Sequence, residues 1–421
     1  MRSPLLEATL ARWQAYVLTV GQLATQILGN GKFDLEVWNE LTFGSDFLYI
    51  NRYYDPPLAT YDEDSIWANL VKATAETVTY HPECFTGTEI SDGFANTIPW
   101  PASSTEPPRV TGISKHVYAR HASFPAGEQG DSGELNALFV REDPPLFVPT
   151  YNIDFPDYFG TALQTEFFLR DMSPITTDIY GTLHGRYTRP GNPCWGWVTE
   201  CGYDPYYAFP SVTDPATALT LKAKSTARYF CFFLHKGCKK VTIFATGGGD
   251  ARLGLVQDNF LAYCAGNTVY PTSDAAYTSP ALAVTGRIAA QMRLEVQTVN
   301  TPRPLSVLSV TDSHNHFQFV GDGTAAHPNL CDREVLAILP FQSNGHRFVI
   351  PYYVMTRNLA TLAPEQFNVT LGGLQASSLS VRCYDPIANA YYPSSINSNA
   401  DGTVTISVNA TDYPYLLVVT D

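Results

Sequence analysis

The feature that most constrains the fold is a change of pattern near residue 300. Before it, apolar runs of strand length alternate with apolar stripes at helical spacing, and this alternation predicts a parallel sheet with helices packed against it. After it, short runs of β character follow one another with turn residues between them, which predicts an antiparallel β-sandwich. The chain is therefore predicted to hold two domains, at residues 1–295 and 296–421.

Strands and helices alternate along the predicted first domain, a pattern typical of a β/α barrel or a doubly wound sheet. The predicted strands are Phe33–Glu40, Thr86–Asp92, Val110–Tyr118, Cys194–Glu200 and Val241–Ala245. Helices are predicted at about residues 6–28, 62–78, 161–183, 215–235 and 276–293. Polar residues interrupt the first helix, so it is neither a signal peptide nor a membrane anchor. We expect it to pack against a sheet.

Composition and charge exclude several classes of protein. The 421 residues include 26 basic and 40 acidic side chains, a net charge of −14, without a long basic run, which argues against nucleic-acid binding. No stretch of about 18 apolar residues occurs, so no membrane-spanning helix is expected. Only 16% of the residues are charged, whereas 13% are aromatic, and this composition is typical of secreted proteins that bind sugars.

The eight cysteines lack the spacing of zinc ligands, so neither a structural metal nor a cofactor is expected. Their even number permits disulfides but does not demonstrate them, and buried free thiols are equally open. Two sequons, at Asn368 and Asn409, matter only if the chain is secreted and glycosylated.

Two glutamates are candidates for catalysis because each follows an apolar strand. Hydrolysis of a glycosidic bond with retention needs two carboxyl groups about 5–5.5 Å apart, one to protonate the leaving oxygen and one to attack the anomeric carbon. In a β/α barrel such groups lie at the C-terminal ends of strands. Glu40, with Asn39 beside it, and Glu200 both have this position. We favour Glu200 over three other glutamates that also follow threonine, which are Glu89, Glu106 and Glu166.

His116 and Tyr118 lie between these glutamates in the sequence, and the alternation of an extended segment places both on one face. A tyrosine hydroxyl can hydrogen-bond a nucleophilic carboxylate and keep it ionised, and a histidine can bind the substrate or tune the acid. Structural roles are the alternative for both residues.

Together, Glu36-Val-Trp-Asn-Glu40, His116-Val-Tyr118 and Trp197-Val-Thr-Glu200 resemble the clan A glycoside hydrolases, nearest to families 5, 30 and 39. These enzymes are (β/α)8 barrels, several with a β-sandwich beside the barrel. The resemblance covers about residues 5–250 and implies that Glu40 is the acid/base after strand four and Glu200 the nucleophile after strand seven. It further implies that Asn39, His116 and Tyr118 bind the substrate, which is a carbohydrate.

The sequence departs from this family pattern before Glu40. Strands one to three should precede it, yet only 39 residues do. A barrel without those strands has open edges. We therefore expect an incomplete (β/α)8 TIM barrel followed by an antiparallel β-sandwich, whose missing strands belong to an absent N-terminal segment or to a partner chain. The full-length form is expected to be extracellular or periplasmic.

Two other functions are alternatives to a retaining glycosidase. A degenerate barrel that binds carbohydrate without catalysis is the main alternative, and the missing strands favour it. A serine hydrolase is disfavoured because the chain has no Gly-x-Ser-x-Gly motif.

Overall fold

The protein is described by a computed structural model in which a parallel sheet with helices is followed by antiparallel sheets. The described residues are 3–40, 50–59, 65–93, 106–118, 195–202, 204–205, 212–235, 237–247, 254–269, 271, 273, 276–299, 301–319, 330–355, 362–375 and 378–421. The predicted helix at 161–183 lies outside them.

The first part is built on a five-stranded parallel sheet whose strands follow chain order. The strands are β1 (Leu35–Glu36), β2 (Ile90–Ser91), β3 (Val110–Tyr118), β4 (Trp195–Gly202) and β5 (Lys240–Ile243). Each strand pairs in parallel with the next. This confirms the mixed α/β class, but the described strands form a curled half-barrel and not a closed TIM barrel.

Four of the five strands differ from their predicted bounds, including β5, which ends at Ile243 and not at Ala245. β1 and β2 have only two residues each, because glycines with positive φ, Gly87 and Gly93, turn the backbone on either side of β2. β4 continues past Glu200 to Gly202. The prediction that this strand ends at Glu200 is therefore wrong, since Cys201 and Gly202 still belong to it.

Ion pairs between the first and last strands show how strongly the sheet is curled. In a flat sheet β1 and β5 would lie about 19 Å apart, four spacings of 4.7–4.9 Å. Lys240 of β5 nevertheless forms an ion pair with Asp34, which directly precedes β1, and its Nζ lies 3.9 Å from Glu89 Oε2 before β2. The N-terminal ends of the strands thus converge on a common centre.

Three helices cover the first strands: α1 (Pro4–Leu28), α2 (Ile66–Tyr80) and α3 (Pro82–Phe85). α1 buries Leu6, Leu10 and Val17, as its helical spacing predicts. Trp13 Nε1 donates to Thr74 Oγ1 of α2 at 2.8 Å. α1 therefore packs against α2. The first two predicted helices are confirmed within a few residues of their predicted bounds. A 3-10 turn, Ile50–Tyr53, lies between α1 and α2.

Three further helices follow β4 and β5: α4 (Pro215–His235), α5 (Asp258–Gly266) and α6 (Pro280–Arg293). The Asp214 carboxylate accepts a hydrogen bond from Thr217 N at 2.8 Å and caps α4, so this helix begins at the proline as predicted. α5 was not predicted from the sequence, because it buries none of its residues and so carries no clear apolar stripe.

The C-terminal part is a sandwich of two antiparallel sheets, with a two-stranded ribbon beside them. Its strands are β6 (Ser306–Asp312), β7 (Phe317–Phe319), β8 (Leu330–Cys331), β9 (Leu336–Ile338), β10 (Phe341–Asn344), β11 (Arg347–Val354), β12 (Glu365–Gly372), β13 (Ser380–Asp385), β14 (Ala390–Tyr392), β15 (Ser395–Ser398), β16 (Val404–Ala410) and β17 (Tyr415–Thr420). One sheet has the order β10-β11-β17-β13-β14, with β9 also on β11, and the other has the order β15-β16-β12-β6. The runs of β character that predict this sandwich include Arg347–Val354 and Tyr415–Thr420, and β11 and β17 have these same bounds.

The sandwich shares one hydrophobic core with α4 and α6. β11 is buried along its whole length, because one of its faces meets the second sheet and the other meets the helices. Lys224 of α4 pairs with the fully buried Asp412 at 2.9 Å. The Arg228 guanidinium lies 4.6 Å from the centre of the Tyr353 ring. Arg347 Nη2 donates to Gln291 O at the end of α6.

Seven cysteines lie in the described part of the chain, and all are free thiols. Cys194 lies outside it. Within the same part of the chain, no helix has both the length and the apolar character needed to cross a membrane.

Candidate active site

Glu40, His116 and Glu200 meet at the C-terminal side of the curled sheet. Glu40 follows the end of β1 by four residues, His116 lies in β3 and Glu200 in β4. His116 and Glu200 are direct neighbours in the register of these two strands, after an irregularity in the pairing between Lys115 and His116. The curl brings Glu40 across the intervening strand β2 to the same place.

His116 connects the two glutamates. Its Nδ1 lies 3.1 Å from Glu40 Oε1 and 3.4 Å from Glu200 Oε2. One carboxylate oxygen of each glutamate and a nitrogen of His116 lie within 4.8 Å of one another. The Glu40 and Glu200 side chains are 29% and 20% exposed, whereas that of His116 is 2% exposed. The carboxylates can therefore meet a substrate that His116 does not face.

The charge of His116 follows from its neighbours. Burial alone would lower the pKa of His116, but hydrogen bonds and charge interactions with Glu36, Glu40 and Glu200 outweigh burial and raise this pKa above its ordinary value. Nε2 of His116 lies 3.9 Å from Glu36 Oε1. A protonated imidazole here places one positive charge beside the carboxyl groups of Glu40 and Glu200.

The backbone that carries Glu40 is closely supported. Glu40 has a φ of 47°, in the left-handed region that a glutamate seldom adopts. Two residues before it, the Trp38 backbone rests against Gly93, which has a φ of 73°. A Cβ at Gly93 would lie 2.9 Å from both Trp38 N and Trp38 O. Only glycine allows this approach, so Gly93 positions the segment that ends in Glu40.

A buried polar network underlies the same end of the sheet. Asp92, Ser91 and Ser114 are fully buried. Asp92 Oδ1 accepts a hydrogen bond from Ser114 N at 2.9 Å, and Ser114 Oγ donates to Ser91 Oγ at 2.7 Å. These bonds join β2 to β3 directly before His116 and so restrain the position of its ring.

The remaining predicted site residues are less closely connected to the glutamates. Asn39 is exposed and lines a cavity of about 380 Å³ together with Trp13, Tyr16 and Trp38. Tyr118 ends β3, but its side chain lies outside the description.

Of the three glutamates that compete with Glu200, two lie at the opposite end of the sheet. Glu89 directly precedes β2 and pairs with Lys239. Glu106 is buried ahead of β3. Glu166 lies outside the described residues.

Sequence reasoning gave no role to Glu36, Asp92 or Ser114. Glu36 and Glu40 are four positions apart, and in the predicted strand Phe33–Glu40 this spacing places both on one face. That signal could have identified Glu36. Asp92 and Ser114 carried no such signal, because their contact depends on the pairing of β2 with β3.

The Glu40, His116 and Glu200 group also has the donor atoms of a metal site. His116 Nδ1, however, shares a hydrogen bond with Glu40, so this nitrogen has a partner without a bound cation. No protein-family model matches the sequence, and no curated protein matches it significantly.

Proposed function

We propose that the protein is a retaining glycoside hydrolase that acts on O-glycosidic bonds of oligo- or polysaccharides. The observation that supports this proposal is the close approach of two carboxylates: one oxygen of Glu40 and one oxygen of Glu200 lie within 4.8 Å of each other, with His116 between them. Retaining enzymes hold their carboxyl groups about 5–5.5 Å apart, whereas inverting enzymes need about 6.5–9.5 Å to admit a water. The distance therefore favours double displacement.

In the proposed mechanism Glu40 protonates the leaving oxygen while the Glu200 carboxylate attacks the anomeric carbon. The glycosidic C–O bond breaks and an ester between the sugar and Glu200 forms. Glu40, now a carboxylate, then removes a proton from water, and the water oxygen displaces Glu200 from the sugar. His116 holds both carboxylates in position. Asn39 and Tyr118 are proposed to contact sugar hydroxyls.

The direct test is hydrolysis of a panel of aryl glycosides by the 421-residue chain and by its Glu200→Gln variant. We expect loss of turnover on the order of 10³-fold or more, as for removal of a nucleophile in other hydrolases. Glu89→Gln is the matched control, because Glu89 also follows threonine but lies at the other end of the sheet. Unchanged hydrolysis in Glu200→Gln contradicts the proposal.

Two further measurements separate the roles of the glutamates. Proton NMR of the first-formed sugar should show the anomer of the substrate, since double displacement retains configuration. Glu40→Ala should slow substrates with poor leaving groups much more than activated ones. Azide should restore turnover of activated substrates, because this anion displaces Glu200 from the sugar without needing a base and yields the glycosyl azide. An inverted first product would exclude Glu200 as a nucleophile.

Carbohydrate binding without catalysis is the second candidate function. One observation favours it: within the described residues β1 and β5 each pair with a single strand, so both edges of the half-barrel are open. Glycan binding by the wild-type chain, with no turnover of any glycoside, would support this alternative.

We also propose that the enzyme acts outside the cytoplasm. Both sequon asparagines, Asn368 and Asn409, are exposed on neighbouring strands of the four-stranded sheet. Expression behind an added signal peptide in a glycosylating host should yield secreted protein that becomes smaller on treatment with an N-glycosidase. Retention of an unglycosylated chain inside the cell contradicts the proposal.

A further inference from the structure

A second group of polar side chains meets at one end of the β-sandwich, in a part of the chain that the proposed hydrolysis does not use. His314 lies two residues after the end of β6, and His316 directly precedes β7. Asp332 directly follows β8, and Glu365 is the first residue of β12. Three separate segments, one of which carries both histidines, therefore bring these side chains to one place.

The four residues converge through their donor atoms. His314 Nδ1 lies 2.7 Å from Asp332 Oδ2 and 3.0 Å from Glu365 Oε2. His316 Nδ1 lies 3.1 Å from Glu365 Oε1 and 3.6 Å from Asp332 Oδ2. One donor atom of each residue lies within 4.8 Å of all the others. The two imidazole rings are stacked with centroids 5.4 Å apart, so both aim the same nitrogen at the centre.

Two buried polar atoms of this group have no hydrogen-bond partner among the described atoms. Among the described atoms, His314 Nδ1 and Asp332 Oδ2 are buried and have no hydrogen-bond partner, although they are only 2.7 Å apart. The Asp332 side chain is 1% exposed. A buried carboxylate oxygen without a partner is costly. Its direction towards the two imidazole nitrogens indicates that a further group belongs between them.

The surroundings match those of a metal-binding histidine. His314 Nε2 faces the Gln366 carbonyl oxygen at 3.3 Å, and metal-bound histidines typically donate their second ring N–H to a carbonyl or carboxylate. The neighbouring Asp312 is paired with Arg333 at 3.3 Å. Asp332 and Glu365 then leave two negative charges at the centre, which a divalent cation would balance.

We propose that His314, His316, Asp332 and Glu365 form a binding site for a divalent transition-metal cation, with Zn²⁺ as the preferred ion. Two imidazole nitrogens and two carboxylate oxygens suit Zn²⁺, whereas Ca²⁺ and Mg²⁺ prefer oxygen ligands alone. Ligands about 2.0–2.2 Å from a tetrahedral Zn²⁺ lie roughly 3.4 Å from one another. The donor separations of this site are close to that value and need only small shifts.

The cation would join the segment after β6 to the first residue of β12, and so would fix the β7–β8 ribbon against the four-stranded sheet. This role is structural and does not depend on the proposed hydrolysis. The spacing of the cysteines predicted no metal. His314 and His316 give no such signal on their own, because the carboxylates beside them come from distant segments.

The test is zinc binding by the 421-residue chain after removal of metals with a chelator. We expect one tightly bound Zn²⁺ per chain by calorimetry and elemental analysis, and d–d absorption bands of a tetrahedral site when Co²⁺ is added. His316→Gln should weaken Zn²⁺ binding at least about 10–100-fold. The His316 side chain is 55% exposed, so this variant should fold normally. Asp332→Asn is the second variant, and the exposed His346→Gln is the matched control.

Two results would overturn the proposal. One is the absence of stoichiometric Zn²⁺ binding by the wild-type chain. The other is binding that His316→Gln and Asp332→Asn leave unchanged, which would place the ion at another group such as the exposed Cys264 thiol. Thermal unfolding adds an independent readout, because Zn²⁺ should stabilise the wild-type chain and the His346→Gln variant but not His316→Gln.

Discussion

Gly93→Ala tests whether the close contact between the β2 end and Trp38 positions Glu40. The added Cβ would lie 2.9 Å from Trp38 N and from Trp38 O, where ordinary contacts begin near 3.4 Å. Both are backbone atoms, so no side chain can rotate away. The segment that leads to Glu40 would have to move by about 0.5 Å, the difference between these two distances.

The matched control is Gly87→Ala on the other side of β2. Gly87 also has a positive φ, 84°, but its Cβ would meet only the Gly31 Cα at 3.8 Å. In each variant, an alanine held in the left-handed region lowers the free energy of unfolding by about 1 kcal/mol. The alanine also restricts the unfolded chain, which offsets this loss by about 0.4–1 kcal/mol. Gly93→Ala alone adds the steric cost, about 1–3 kcal/mol by analogy with overpacking. The free energy of unfolding should therefore fall by about 1–4 kcal/mol in Gly93→Ala and by 1 kcal/mol or less in Gly87→Ala.

The assay is urea unfolding of both variants, followed by circular dichroism and by tryptophan fluorescence, together with aryl glycoside turnover. A shift of 1 Å at a catalytic group can cost about 10²-fold in rate, so a shift near 0.5 Å should lower kcat by roughly 10-fold in Gly93→Ala only. Equal loss of stability in the two variants would refute the steric argument. If Gly93→Ala loses stability as expected but keeps its turnover, the claim that Gly93 positions Glu40 is refuted.

Two other predictions concern single side chains. Because the pKa of His116 is raised in the folded protein, its protonated form stabilises the fold fully below its ordinary pKa of about 6.5, and this stabilisation is lost as the pH rises through the folded value. The difference in the free energy of unfolding between the wild type and His116→Gln should therefore shrink from pH about 6 to pH about 9 in urea titrations, and a constant or growing difference contradicts this assignment. Cys264 is the exposed thiol among the described cysteines, whereas burial raises the pKa of Cys238 to about 12. Cys264→Ser should remove one rapidly reacting equivalent in a thiol titration of the native protein, and an unchanged rapid phase would show that the reactive thiol lies elsewhere.

Local patterns predicted the elements whose residues are clearly divided between core and surface. α4 begins at its predicted proline because Asp214 caps it, and β11 was found because it is buried on both faces and reads as an apolar run. β15 was missed because all four of its residues are exposed. α5 was missed for the same reason.

Contacts between distant segments limited the prediction of the site. The order of Glu40, His116 and Glu200 in the sequence predicted that they share one end of the sheet, because parallel strands align their C-terminal ends. The sequence could not show that His116 Nδ1 contacts both carboxylates, since that depends on the curl of the sheet and on the irregular pairing beside His116. The contact of Gly93 with Trp38 was equally hidden, because it follows from backbone angles.

The core that α4 and α6 share with the sandwich bears on how this protein can be divided. The sequence pattern changes near residue 295, but a cut there would uncover the helix-facing side of β11 and separate Lys224 from the buried Asp412. Neither fragment could then cover its apolar face. We expect truncations at this point to aggregate, and grafts of either half onto another protein to fail, because each half covers apolar surface of the other. Recombination could then exchange the first half only together with its sandwich.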